Sequence, residues 1–350
     1  MPKLQRYVII CLALLVLGVG VVVWRHSGPL QAPAMQQERF GKALRQARGG
    51  EPGAARVLYQ QLARDDLSAG QRVALYGLLP DYPSPRALKL ARADLHNEAE
   101  QVRHAALQAI AQLVPAHQRS LILGPLLDDP LEDLRFGAAK AMLDLSPDDA
   151  GLYFGPLDQV LEQYQSVLAA DADPDQQLLL ARVLAHQGAG AEAVAVLQPV
   201  EGQLDENPQF IALRVRLLEQ QGNADGARRW LAERLRQAPQ SAALQHQLGL
   251  WLVEHRQDEY ALLALTRAVE LAPDDSDYRY DLAVTLHALE QVDAAQRQLQ
   301  EIVQRHPQNR KARVLLINYW KETGQLQNVQ VLLAQLEQQN PDDPLVQQGL

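Results

Sequence analysis

Arg182 and Arg216 stand 34 residues apart, and the same interval recurs through the second half of the chain. Two guanidinium groups one repeat apart line up along a groove, and each offers a planar fork of donors that matches a carboxylate. The chemistry this implies is contact with an acidic or C-terminal carboxylate group on a peptide. The other reading is a pair of solvated arginines. Equivalent places in later units hold His246, Leu250, Tyr280, His287, Asn318 and Lys321, a line that mixes cations with apolar and aromatic groups.

Other chemistry is sparse. The sequence has no Gly-rich phosphate loop, no G-x-S-x-G and no H-E-x-x-H. Its 9 histidines are scattered. His96 and His104 lie near one another without carboxylates at ligand spacing on both sides, and read as exposed helix histidines. Asp128-Asp129 and Asp274-Asp275 could suggest calcium, but short acidic side chains at such turns read as helix caps. Trp230, Trp251 and Trp320 fall at core spacing. The single cysteine, Cys11, excludes an internal disulfide, a zinc knuckle and a C-x-x-C-H haem site. No catalytic residue, cofactor or metal is expected. Beyond His26 the chain carries 30 basic and 42 acidic residues, a net −12, which disfavours nucleic acid as a partner.

The elements that must carry the arginines are set by periodicity. Pro239, Pro273, Pro307 and Pro341 recur every 34 residues. So do Leu184, Leu218, Leu252, Leu286 and Trp320; Ala193, Ala227, Ala261, Ala295 and Val329; and Leu197, Leu231, Leu265, Leu299 and Leu333. Each unit reads as two antiparallel helices, with the large series filling the space between them and the small series allowing close approach. Gly188, Gly222 and Gly324 end the first helix. Arg256 and Glu290 hold that place in units three and four, where slightly different turns are expected. These residues resemble the tetratricopeptide repeat over about 174–343. The third unit fits best, through Leu248-Gly249, Leu252, Ala261, Leu265, Ala268 and Pro273. The resemblance implies a docking surface for proteins or peptides, lined by the first helix of each pair. The Lys/Asn clamp of chaperone-binding relatives is unmatched, since Leu178, Leu213 and Ala243 stand at those places.

A different repeat precedes this one. Val102-Arg103-His104-Ala105-Ala106 recurs 32 residues later as Leu134-Arg135-Phe136-Gly137-Ala138, with a weaker copy starting at Arg72. Glu38 to Ala63 reads as a helix pair broken at Gly49-Gly50. The pattern resembles HEAT-type repeats. HEAT-like pairs running into tetratricopeptide repeats are similar to the haem-free C-terminal half of bacterial multihaem cytochromes, from about Leu67 to Pro341. That likeness implies a scaffold beside an envelope partner.

Tyr7 to Trp24 is 18 residues without a charge, long enough as a helix to span about 27 Å of bilayer. It reads as an uncleaved anchor. The alternative is a cleaved leader, but the nearest small-x-small site, Ala32-Pro33-Ala34, lies ten residues past the apolar run. The expected order is an anchor over 1–26, a tether over 27–37, HEAT-like pairs over 38–170 and five tetratricopeptide repeats over 171–350. The fold class is an all-α, right-handed superhelical α-solenoid with one N-terminal transmembrane helix.

An excess of Arg over Lys suggests a GC-rich bacterial genome. The expected protein is a scaffold of the bacterial inner membrane that helps assemble an envelope complex; the alternative is an accessory subunit of an envelope redox or other enzyme system. Lys3 and Arg6 favour retention of the short tail inside, with a periplasmic body, although Arg39, Lys42, Arg45 and Arg48 blunt the asymmetry. A reporter that fluoresces only in the cytoplasm, fused after Leu350, is expected to be dark; a bright fusion reverses the orientation.

Overall fold

Small residues recur where two helices must touch, and the computed structural model, which describes residues 31–348, shows why. Ala193, Ala227, Ala261 and Ala295 are fully buried, and Val329 nearly so. They bring together five helix pairs: α10 (Pro174–His186) with α11 (Gly190–Leu197), α12 (Pro208–Gln220) with α13 (Ala224–Gln237), α14 (Ala242–Glu254) with α15 (Asp258–Leu271), α16 (Ser276–Ala288) with α17 (Val292–Arg305), and α18 (Arg310–Glu322) with α19 (Leu326–Gln339). Gly249 shows how tight the approach is. A Cβ there would lie 2.6 Å from Leu265 Cγ, so no larger residue fits between α14 and α15.

One further ladder with the same interval starts each pair. Asp173, Asn207, Ser241, Asp275 and Asn309 each accept a hydrogen bond from a backbone N–H in the first turn of the helix that follows. Asp343 does the same for a short final turn, α20 (Pro344–Gln347). Such a cap contributes about 1 kcal/mol. The turns within pairs correct one expectation. Arg256 and Glu290 adopt φ of 57° and 61°, the same left-handed conformation as Gly188, Gly222 and Gly324. The packing of each pair holds the turn alike despite a steric cost of roughly 1–2 kcal/mol for a side chain in that region.

Among the described residues, nine α-helices precede the pairs: α1 (Gln31–Arg48), α2 (Ala54–Leu62), α3 (Ala69–Tyr76), α4 (Pro85–Ala93), α5 (Glu100–Leu113), α6 (Ala116–Leu123), α7 (Glu132–Met142), α8 (Pro147–Ala150) and α9 (Phe154–Leu168). Three arginines repeat one device here. Arg103 donates to the Asn97 and Glu98 carbonyls and pairs with Asp133. Arg135 donates to the Asp129 and Pro130 carbonyls. Arg72 donates to the Leu62 and Arg64 carbonyls and pairs with Asp94. Each ties its helix to the chain that leads into it. Asp129 serves its turn by accepting from Leu131 N–H and His96, rather than as a helix cap. The tether expected over 27–37 is shorter than its span, because α1 is already helical from Gln31. The anchor expected over residues 7–24 lies outside the described residues. Among the described residues there is no strand, and no helix long and apolar enough to cross a membrane.

The two ends of the array meet. Gly53 N–H donates to the Gln338 carbonyl at 2.7 Å, and Asn340 Nδ2 donates to the Pro83 carbonyl at 2.8 Å. Gln339 takes a 2.7 Å hydrogen bond from the buried Arg313 and donates to the Gly50 carbonyl. Tyr59 reaches both the Tyr82 carbonyl and Asn340, and burial raises its pKa to about 12. Arg310 is paired with Asp343, which is 3% exposed. Burial also raises the Asp81 carboxyl to about 6, against the pull of Arg310.

Gly50 sits at the tightest point of the seam. Its φ is +57°, and a Cβ there would lie 2.7 Å from the Pro307 carbonyl oxygen. Gly188 has φ +79° with nothing in reach of a Cβ. Gly188→Ala is therefore expected to lower stability in urea unfolding by roughly 1–2 kcal/mol, from backbone conformation alone. Gly50→Ala is expected to lower it by clearly more. Equal losses mean that the seam contributes nothing.

Candidate functional site

The two arginines singled out by their interval do converge. Arg182 on α10 and Arg216 on α12 line one cavity of about 570 Å³. Its floor is apolar, made by the buried Leu143, Leu145 and Leu213, with the exposed ring of Phe154 at its edge. His186 closes it. His186 Nδ1 lies 3.0 Å from the Leu143 carbonyl, leaving a buried Nε2 with no partner among the described residues.

Arg182 is also a wall of a second cavity of about 720 Å³, between α5, α7, α9 and α10. There it meets Lys140. Phe136 and Tyr164 stack in this cavity with ring centroids 4.3 Å apart. Burial, and then the Arg182 charge, lowers the Lys140 pKa. Burial lowers that of Arg182, with Arg216 adding to the effect and Asp144 opposing it. Among the described residues, none of Lys140, Arg182 and Arg216 is ion-paired or hydrogen-bonded through its side chain. Asp144, the nearby carboxylate, is bonded instead to Arg119 at 2.7 Å.

The rest of the expected line is built differently. His246 lies 2.8 Å from Asp281 and stacks on Tyr278 at 4.4 Å. His287 lies 2.6 Å from Glu322 and stacks on Tyr319 at 3.8 Å. In both, a first-helix histidine clips onto a ring and an acid of the next first helix, 32 and 35 residues on. Tyr280 carries the Lys311 ammonium over its ring at 3.9 Å. Leu250 is a half-buried core side chain, while Asn318 and Lys321 are exposed. Leu178 and Ala243 are buried, so they face the core rather than the groove. The eight candidate residues do not form one uniform strip. Arg182 and Arg216 share a cavity, and the two histidines and Tyr280 are engaged between repeats.

Lys140, Phe136 and Tyr164 went unnoticed in the sequence. One signal was available: Phe136 replaces the His104 of the earlier copy, an aromatic at a place otherwise polar. Glu100, His104 and Asp133 also come together, with potential ligand atoms within 4.8 Å of one another. Asp133 is already held by Arg103 at 2.6 Å, so the group reads as an ion-pair network.

Residues 256–349 match the family model described as tetratricopeptide repeat. That stretch is similar to a tetratricopeptide array. The 34-residue ladders and caps carry the same build back to Asp173. No curated protein matches the chain. Among solved structures, the chain is similar to YrrB, described as a TPR protein with an unusual peptide-binding site, at 18% identity and a TM-score of 0.36, covering 54% of this chain and 98% of that one. It is similar to the APC/C hetero-tetramer Cut9–Hcn1 at 13% identity and 0.39, covering 89% and 62%. It is also similar to the human IFIT1 dimer with m7Gppp-AAAA at 13% identity, covering 85% and 77%, with a TM-score of 0.39.

The histidine clips make a stability prediction. His246→Ala and His287→Ala are each expected to lower unfolding free energy by about 1–2 kcal/mol, through the lost stack and hydrogen bond. Urea unfolding followed by circular dichroism measures this. Unchanged stability would return both histidines to the docking face.

Proposed function

We propose that the chain is a membrane-anchored scaffold that docks an extended peptide on the inner face of its helical array and so assists assembly of a bacterial cell-envelope complex. The observation that carries the docking is the convergence of Arg182 and Arg216, without carboxylate partners among the described residues, over an apolar floor. Arg182 is half-buried and Arg216 exposed, and two cations without carboxylate partners over an apolar floor suit an incoming carboxylate. The tetratricopeptide array supports protein or peptide binding over catalysis. The apolar stretch over residues 7–24 supports the inner-membrane anchor and a periplasmic body. The recurring Arg72, Arg103 and Arg135 device supports HEAT-like pairs in the middle segment.

The test is site-specific photocrosslinking in native membranes. A photoreactive residue at Arg216 is expected to give a discrete adduct. One at Tyr260, which is 64% exposed on the second helix of the third pair, is expected to give none. The double change Arg182→Glu with Arg216→Glu, with a crosslinker at Gln220 in the same cavity, is expected to abolish the adduct while leaving helicity intact. Equal adducts at residues 216 and 260 would remove the inner face from the account.

A further inference from the structure

The docking reading leaves open which part of the inner face is used and what sort of segment it takes. Three observations narrow both. The first is position. Arg182 borders both cavities, so the 570 Å³ and 720 Å³ spaces form one surface across the boundary between the middle segment and the first tetratricopeptide pairs. The second is charge. Lys140, Arg182 and Arg216 gather there, and none has an ion pair or side-chain hydrogen bond among the described residues. The third is apolar surface on both sides of the cations. Phe136 and Tyr164 stack in one cavity, and Phe154 stands 38% exposed at the edge of the other.

We propose that this junction is the docking site, and that its occupant is a segment of a partner protein in which an acidic residue is flanked on both sides by apolar or aromatic ones. The proposal rests on the docking reading above and makes it specific. The acidic group sits at Arg182, within reach of Lys140 or Arg216. One apolar flank lies on the Phe136–Tyr164 stack, and the other lies on the Leu143, Leu213 and Phe154 floor. The far end of the larger cavity is lined by Glu100, Glu132 and Asp133, the last already paired with Arg103, and is a poor place for a second carboxylate. That end disfavours a polyanion and fixes the direction in which a peptide lies. A nucleic acid would also meet the net −12 of the chain beyond His26. His246, His287 and Tyr280 take no part, because neighbouring repeats already occupy them.

The experiment is selection of a displayed library of random dodecapeptides on the immobilised full chain, followed by affinity measurement on synthetic copies of the enriched peptides. Enriched sequences are expected to share an acidic residue between apolar ones. Binding is expected to weaken with added salt. Arg182→Gln and Lys140→Gln are each expected to weaken it roughly tenfold, the effect of one lost charge-assisted hydrogen bond. Asn318→Ala is expected to leave it unchanged. Enriched peptides that survive Arg182→Gln and are lost on Asn318→Ala would move the site along the array, leaving docking intact and this junction wrong. Peptides without an acidic residue would overturn the occupant. A single-stranded RNA oligonucleotide that displaces the peptides and binds more tightly would replace the ligand class. No enrichment on any surface would overturn the docking reading itself.

Discussion

A stack of helix pairs buries an apolar face between each pair and the next, but its first and last members each have one side with nothing beyond it. Most such arrays cover those sides with polar capping helices. Here the two ends cover one another. The hairpin of α1 and α2, with the chain just before α4, meets the end of α19 through Gly53 N–H to the Gln338 carbonyl, Gln339 to the Gly50 carbonyl and Asn340 to the Pro83 carbonyl. The contact is polar, and its groups are buried: Arg313, Gln339, Asn340 and Asp343 are at most 6% exposed. Buried polar groups left without partners would cost about 1–3 kcal/mol each. The seam therefore favours the register in which these groups find partners.

The middle segment and the repeats follow different intervals, 32 and 34 residues, and the boundary between them breaks the regular stack. Further along the array, two first helices are clipped to the next, His246 to Asp281 and His287 to Glu322. The cavities at the boundary are lined by Lys140 and Arg182, cations without partners among the described residues. The break in periodicity and the available charge occur together.

The repeat array was legible because each ladder position has a physical role that restricts its residue type. Only a small residue fits where Ala261 packs, and only a short polar side chain caps as Asp275 does. The turns at Arg256 and Glu290 misled, because residue type suggested a different backbone while packing imposed the shared one. The seam was illegible for another reason. Gln339 and Gly50 are 289 positions apart, and in a glutamine-rich chain Gln338-Gln339-Asn340 looks like an ordinary helix end. The convergence of Arg182 with Arg216 followed from their interval. Its extension to Lys140 and Phe136 did not, because nothing in the sequence gives the register between two repeats of unequal length.

The account turns most directly on the Gly53 amide. It lies in a short connection outside any helix, and its backbone acceptor among the described residues is the Gln338 carbonyl at the opposite end of the array. Native-state hydrogen exchange reads that one bond. If the ends are joined, the Gly53 amide is protected, and its opening free energy approaches that of amides inside α19. If it exchanges as fast as an unstructured loop while α19 stays protected, the array is open, and the closure on which its shape depends does not exist.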